Sequence, residues 1–193
     1  MVDKKKVNII LFGPPGAGKG TQAKYLVKKL NGFQISTGDM LRDEIKKDTE
    51  IGKKIIHDMD DGKFVNDEIV NKLIKNAITD PLKKNRIIFD GYPRSISQAK
   101  NLDLLLSNTN QKIDFIFYFN VNKDTIVKRI EKRKIIEKRS DDDVNTIIKR
   151  YDTYIKTTKP VLEFYSKNPN FHDLNGTLEI DEISKKIDRF LNV

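Results

Sequence analysis

The stretch Gly13-Pro-Pro-Gly-Ala-Gly-Lys-Gly-Thr21 lies between an apolar run, Val7 to Phe12, and a helix-like run from Gln22 to Leu30. A buried strand that breaks into glycines and then starts a helix leaves several backbone N–H groups unpaired at the positive end of a helix dipole. Polyphosphate is the natural occupant of such a cradle. Lys19 adds a mobile positive charge beside the amides. Thr21 adds a hydroxyl one place later than the generic G-x-x-x-x-G-K-[ST] pattern has it, because Gly20 holds that position. A glycine-rich turn with a surface lysine is the bland alternative, and the order strand, glycines, lysine, helix argues against it.

The rest of the chain repeats the alternation that this stretch begins. Phe33-Gln-Ile-Ser36 reads as a second strand, with Ser36 or Thr37 capping a helix that carries Asp39 in its first turn and Arg42 one turn further in. Ile51 to Met59 is amphipathic, Asn66-Asp-Glu68 reads as a helix start, and Pro81 ends the helix that follows. Arg86-Ile-Ile-Phe-Asp90 is a third strand that stops at Gly91-Tyr-Pro-Arg94, before a helix-like run from Ser97 to Leu106. Phe115-Ile-Phe-Tyr-Phe119, the most apolar run, reads as a central strand covered on both faces. Helices are expected from Asp124 to Ile136 and after Asp142, with Pro160 interrupting a further one. Phe171 to Leu174 is a last strand before a closing helix, Ile180 to Leu191. Five apolar strands alternating with helices predict an α/β fold with a five-stranded parallel sheet. The charged motifs fall just after strands, which gathers them on one edge of that sheet.

At 193 residues the chain fits a single domain with small insertions. Its formal charge of +9 invites a nucleic-acid reading, but the lysines are spread among Asp, Glu and Asn, without an aromatic-studded basic stretch to stack bases. Such a field suits small phosphorylated substrates instead. Cysteine is absent, which removes disulfides, thiolate metal sites and cysteine nucleophiles. No signal peptide or apolar stretch of spanning length is seen, so the expectation is a cytoplasmic protein with no membrane partner.

Only two histidines are present, His57 and His172, and neither has metal spacing or a plausible nucleophile beside it. Lys, Arg and Asp at strand ends are the equipment of phosphoryl transfer, in which the protein positions two anions and neutralises their charge. A phosphate acceptor is already a nucleophile near neutral pH and needs no general base. Arg129 and Arg133 stand at i and i+4 on one expected helix, where like charges cost roughly 0.2–0.5 kcal/mol. A bound anion reverses that sign, whereas Glu131 and Glu137 could merely compensate a solvated basic face.

With Ser36-Thr-Gly-Asp-Met-Leu-Arg42, Asp90-Gly-Tyr-Pro-Arg94, Gln98, and Arg139-Ser-Asp-Asp142 followed by Arg150 added to the glycine loop, the chain closely resembles the adenylate kinases among nucleoside monophosphate kinases. The resemblance covers essentially its whole length. It implies a P-loop NTPase-type fold, a core of residues 1–35, 66–131 and 144–193, an acceptor-binding segment at 36–65 and a short lid at 132–143. It implies ATP, AMP and ADP as partners, Mg2+ as cofactor, a role in adenine nucleotide homeostasis, and a monomer. Gly16, Ala17, Gly18, Lys19, Gly20 and Thr21 would hold the ATP phosphates, Arg129 would lie against the adenine, and Leu178 would contribute backbone. Thr37, Arg42, Gly91, Tyr92, Pro93, Arg94 and Gln98 would hold AMP, with the backbone of Lys63, Phe64 and Val65. Lys19, Arg94, Arg133, Arg139 and Arg150 would clamp the phosphates in flight, with Asp141 carried over beside them. Asp90, helped by Asp39, would hold the magnesium shell through water.

The residues themselves favour AMP: a glutamine amide presents a donor beside an acceptor and so matches the amino and ring-nitrogen edge of adenine. Pyrimidine monophosphate kinases tend to carry Asn at the position of Gln98 and Ala at that of Thr37. A UMP/CMP kinase is thus the nearest alternative, and a P-loop ATPase or switch protein a more distant one. The Tyr92-Pro93 bond is expected to be cis, as in relatives. Two features depart from the commonest pattern. Five residues separate Arg133 from Arg139 where many bacterial relatives carry a lid domain, some with zinc, and Lys138 stands where short-lid relatives often have glycine.

Overall fold

A computed structural model describes residues 5–137 and 142–193. Five parallel strands form one sheet in the order β2-β3-β1-β4-β5. They are β1 (Ile9–Phe12), β2 (Phe33–Ser36), β3 (Ile87–Asp90), β4 (Phe115–Asn120) and β5 (Phe171–Asn175). The strand that follows the N-terminal lysines therefore sits at the centre, and the very apolar β4 lies one place from the edge. Both are paired on two sides, which is why both read as apolar runs.

Alternation along the strands divides the interior into two layers. Ile9 and Leu11 of β1, with Ile88, Phe117 and Phe119, pack beneath α1 (Lys19–Leu30), α6 (Lys123–Glu137) and α9 (Ile180–Leu191). Ile10 and Phe12, with Ile87, Phe89 and Ile116, face the opposite layer. That layer holds α2 (Thr37–Lys46), α3 (Glu50–Asp60), α4 (Asp67–Ile78), α5 (Ile96–Ser107) and α8 (Lys159–Tyr165). A parallel sheet needs such cover on both faces, because its crossovers place helices there.

Local chemistry sets the helix starts. Ser36 caps α2 by accepting from the Asp39 amide, Asn66 caps α4 and Ser95 caps α5. After α7 (Val144–Thr157) the chain turns at Thr158, and Pro160 then occupies the first turn of α8. The proline begins a helix at that corner, since its missing N–H is one that a first turn leaves unpaired anyway.

At the amino-terminal edge of the sheet Asn8 is fully buried. Its Nδ2 donates to Gln111 Oε1 (3.3 Å) and to the Lys112 carbonyl (3.0 Å), and its Oδ1 accepts from the Ile87 amide (3.1 Å). One asparagine thus ties the starts of β1, β3 and β4 together. Among the described residues no helix is long and apolar enough to cross a membrane.

Candidate active site

The opposite, carboxyl-terminal edge opens into a cleft of about 720 Å3 between the two helical layers. Its donor half is the turn from β1 into α1. Gly18, at φ 97°, is the N-cap of α1 and makes no side-chain cap, so the first amides of the helix stay directed at the cleft. Gly16, Ala17, Gly18, Lys19, Gly20 and Thr21 all line it, as do Arg129, Arg133 and Leu178. The Lys19 ammonium donates to the carbonyls of Gly13 (2.7 Å) and Pro14 (2.9 Å) of its own loop. Burial pushes its pKa down to about 8; the charges of Arg94, Arg150 and Arg133 act in the same direction, and Asp90 opposes them. A polyphosphate in the cleft would add counter-charge to that of Asp90.

Arg129 Nη1 donates to the Ala17 carbonyl at 3.4 Å, resting α6 against the loop. Arg133, one turn on, forms a two-point ion pair with Asp142: Nε donates to Oδ2 at 2.7 Å and Nη2 to Oδ1. The Asp142 side chain is wholly buried. The close Arg129 and Arg133 charges are thus relieved by a carboxylate just ahead of α7, which also holds the Arg133 guanidinium in a fixed plane. Arg139 and Asp141, with Lys138, lie outside the described residues.

In the acceptor half, Arg42, Lys63, Phe64, Gly91, Pro93, Arg94 and Arg150 line the cleft. Thr37, Val65, Tyr92 and Gln98 are buried and form no part of its present wall. They work from beneath. The Gly91 carbonyl accepts from Thr37 Oγ1 and from Arg94 Nε, both at 2.7 Å, so the backbone there orients a side chain from each of two elements. Gly91 has φ 75°, and a Cβ on it would meet Arg94 Nη2 at 2.8 Å and Thr37 Oγ1 at 3.2 Å. Only glycine lets the chain pass between them. The Tyr92-Pro93 bond is cis. The Arg94 guanidinium also lies 5.1 Å over the Phe64 ring. Arg150 passes against Gly62, where an added Cβ would sit 2.9 Å from its Cγ, and this brings α7 against the 36–65 segment.

Asp90, at the end of β3, reaches the donor half. Its Oδ2 accepts from Gln34 Nε2 at 3.0 Å and would lie 3.6 Å from a Cβ on Gly20. Asp39 lines the cleft and pairs with Arg42 at 2.5 Å. Among the described residues there is no cluster of three or more His, Cys, Asp or Glu that could cage a metal. His57 is exposed on α3, and His172 stacks on Phe190 with 3.8 Å between ring centroids, away from the cleft.

Several contributors escaped the sequence reading. Asp142 stands in the Arg139-Ser-Asp-Asp142 motif with no role of its own read there, and its pairing with Arg133 emerges only in the fold. Gln34 could have been noticed as the polar residue inside an apolar strand that ends at the site. Thr158, whose hydroxyl donates to the Arg94 carbonyl at 3.2 Å, carries no local signal. Nor does Asp67, which reads as one more acid at a helix start.

A parallel sheet with a phosphate-type loop after its central strand, opening onto a cleft lined by Lys and Arg from several elements, defines an α/β protein of the P-loop class. The adenylate kinase family model matches residues 11–170. An adenylate kinase of Pelagibacter ubique (strain HTCC1062) is 48% identical over 213 aligned positions, covering 97% of this chain and all of that one. Adenylate kinases of Caulobacter sp. (strain K31) and Nocardioides sp. (strain ATCC BAA-499 / JS614) are 39% and 36% identical, each over 187 positions and 97% of this chain, with 99% and 98% of their own lengths covered. The chain belongs to the adenylate kinase family. The 213-position alignment exceeds the 193 residues of this chain, so the Pelagibacter protein carries residues that this chain lacks, whereas the other two match it nearly position for position.

Proposed function

We infer that this chain transfers the terminal phosphoryl group of Mg·ATP to AMP, reversibly, giving two ADP. The observation that carries the reading is the surroundings of Lys19, whose ammonium feels Arg94 from the acceptor half, Arg133 from the donor half, Arg150 from α7 and Asp90 from β3. Cations from separate elements converge where a group would pass between two phosphate chains.

In that reading an oxygen of the AMP phosphate attacks the γ-phosphorus in line. The bond from that phosphorus to the β–γ bridging oxygen breaks, and the electron pair leaves with ADP. Lys19, Arg94, Arg133 and Arg150 hold the charge spread over the phosphoryl oxygens, and Arg139 joins them by resemblance, with Asp141 beside it. Asp142 keeps the Arg133 guanidinium aimed. Arg129 and Leu178 take the donor's base, while Thr37, Arg42, Gly91 to Arg94, Gln98 and the backbone of Lys63 to Val65 take AMP. Residues 36–65 and 132–143 close over the two nucleotides and exclude water, which would divert transfer into hydrolysis.

Magnesium suits the donor set on the page. Mg2+ keeps several waters and binds through one or two carboxylates plus phosphates. Asp90, beside the loop and with one oxygen already oriented by Gln34, fits that need. Asp39, paired with Arg42, stands further toward the acceptor. When bound there, the ion would supply charge neutralisation to the donor's phosphates.

We also propose a monomer working in the cytoplasm. One chain supplies both halves of the cleft, and the absence of cysteine suits a reducing compartment. Light scattering across a concentration series tests the first point. The activity is tested by ADP formation at fixed Mg·ATP against a panel of nucleoside monophosphates. ADP formed with AMP and far less with UMP or CMP is the expected outcome, and ATP consumption that ignores added AMP overturns the reading.

A further inference from the structure

Gln98 is 2% exposed, and both ends of its side-chain amide are held. Nε2 donates to Asp67 Oδ1 at 2.6 Å, and Oε1 accepts from the Arg94 backbone N–H at 2.7 Å. Asp67 is held in turn. It is the first residue of α4, and its Oδ2 accepts from the hydroxyl of Ser95, the N-cap of α5, at 2.8 Å. Ser95 Oγ accepts from the Gln98 amide N–H at 3.1 Å, which closes the ring of contacts.

These partners leave no ambiguity about which end of the amide is which. A carboxylate only accepts, and a backbone N–H only donates. Turning the amide over would set its oxygen against the Asp67 carboxylate and its NH2 against the Arg94 N–H, so two attractive contacts would become two repulsive ones. An amide nitrogen carries two hydrogens and an amide oxygen two lone pairs. Each end has therefore given one to the protein and keeps one, among the described residues, for a base.

Adenine offers its amino hydrogen beside the ring nitrogen N1, a donor next to an acceptor. A 6-oxopurine offers the reverse, an oxygen beside N1–H. A freely turning glutamine could match either base simply by flipping. We propose that Asp67, together with the Arg94 backbone N–H, sets the choice of adenine over 6-oxopurines by locking the Gln98 amide in one orientation. The inference rests on the AMP-acceptor reading above. Asp67 is a positioning residue in it, acting through Gln98 without touching the nucleotide. The amide that the base meets has been oriented beforehand, which lowers the cost of ordering it at binding.

A merely structural Asp67, tying α4 to α5, would weaken the fold or lower turnover for every acceptor alike. The ratio of acceptors separates the two roles. IMP differs from AMP only at the edge in question, and Asp67→Asn keeps the shape while supplying a group able to turn with Gln98. We expect Asp67→Asn to keep the wild-type KM for ATP, to lose kcat/KM for AMP and gain it for IMP. The AMP:IMP preference should fall by about tenfold or more. Asp67→Ala, which leaves only the Arg94 N–H to oppose a turned amide, should shift the ratio the same way and serves if the first variant does not fold. A ratio within about twofold of wild type, in either variant with a wild-type KM for ATP, overturns the proposal. Wild-type protein that forms no ADP from AMP instead overturns the underlying reading.

Discussion

The two edges of the sheet are built from the same kinds of residue and serve opposite ends. At the amino-terminal edge, Asn8 spends its amide on Gln111, Lys112 and Ile87, and its backbone N–H donates to Asp114 Oδ2 at 2.9 Å. Polar groups there come in matched numbers. At the carboxyl-terminal edge, the helix start after Gly18 lacks a side-chain cap, and Lys19 shares its surroundings with three arginines and one aspartate. Matched polarity holds strands together; a cluster of cations gathered from several elements suits an anionic ligand.

Four substitutions or titrations bear on that contrast. Lys19→Ala, at the carboxyl-terminal edge, should lower kcat by about a hundredfold or more, the scale of losing one transition-state donor, in a protein that still folds. Near-normal turnover of the folded variant would remove the phosphate loop from the chemistry. Asn8→Ala, at the matched edge, should do the reverse. It strands the Ile87 N–H and the Lys112 carbonyl and should cost about 2–3 kcal/mol in urea unfolding, while turnover per folded molecule holds. A variant as stable as wild type would show that the edge is not held by matched hydrogen bonds.

A third test uses protons. With Lys19 at about 8 in the folded, nucleotide-free protein and 10.5 as its ordinary value, the unfolded chain binds more protons between those limits. This lysine therefore makes stability rise with pH from about 8 to 10.5. Bound polyphosphate restores the ammonium, so nucleotide binding near pH 9 should take up a proton, and calorimetry in buffers of differing ionisation enthalpy reads it directly. The smallest effect lies outside the cleft. Burial lowers the His172 pKa below its ordinary 6.5, so the unfolded chain binds more protons just under that value. Stability should fall slightly as pH drops below 6.5, and His172→Phe should flatten that slope in melts taken between pH 5 and 7.

The donor half was legible in the sequence because it is made largely of backbone. Glycines at fixed spacing after a strand dictate where amides point, whatever the distant chain does, and α9 was likewise legible from Ile180 to Leu191 because its apolar period is regular. The strand boundaries were legible to within about two residues for the same reason: apolar runs end where charge begins. The rank of the strands was not. Composition alone cannot tell β4, one place from the edge, from β1 at the middle, since both are paired on two sides. The rest of the site is held by side chains reaching across 31 residues from Gln98 to Asp67, 56 from Gln34 to Asp90 and 64 from Thr158 to Arg94. Each of these contacts depends on the sheet order, which no local pattern encodes. Asn8 was missed for the same reason, as an unremarked polar residue in an apolar run.

The Lys19 ammonium resting on the carbonyls of Gly13 and Pro14 has a consequence for the speed of binding. The loop is already shaped around a cation that belongs to it, so an arriving nucleotide need not fold the loop. It need only draw one side chain from two carbonyl oxygens to its own. Side-chain rotations of that kind take nanoseconds or less where the group is accessible, whereas movements of whole segments take microseconds to milliseconds. The loop itself therefore has little left to rearrange when a polyphosphate arrives.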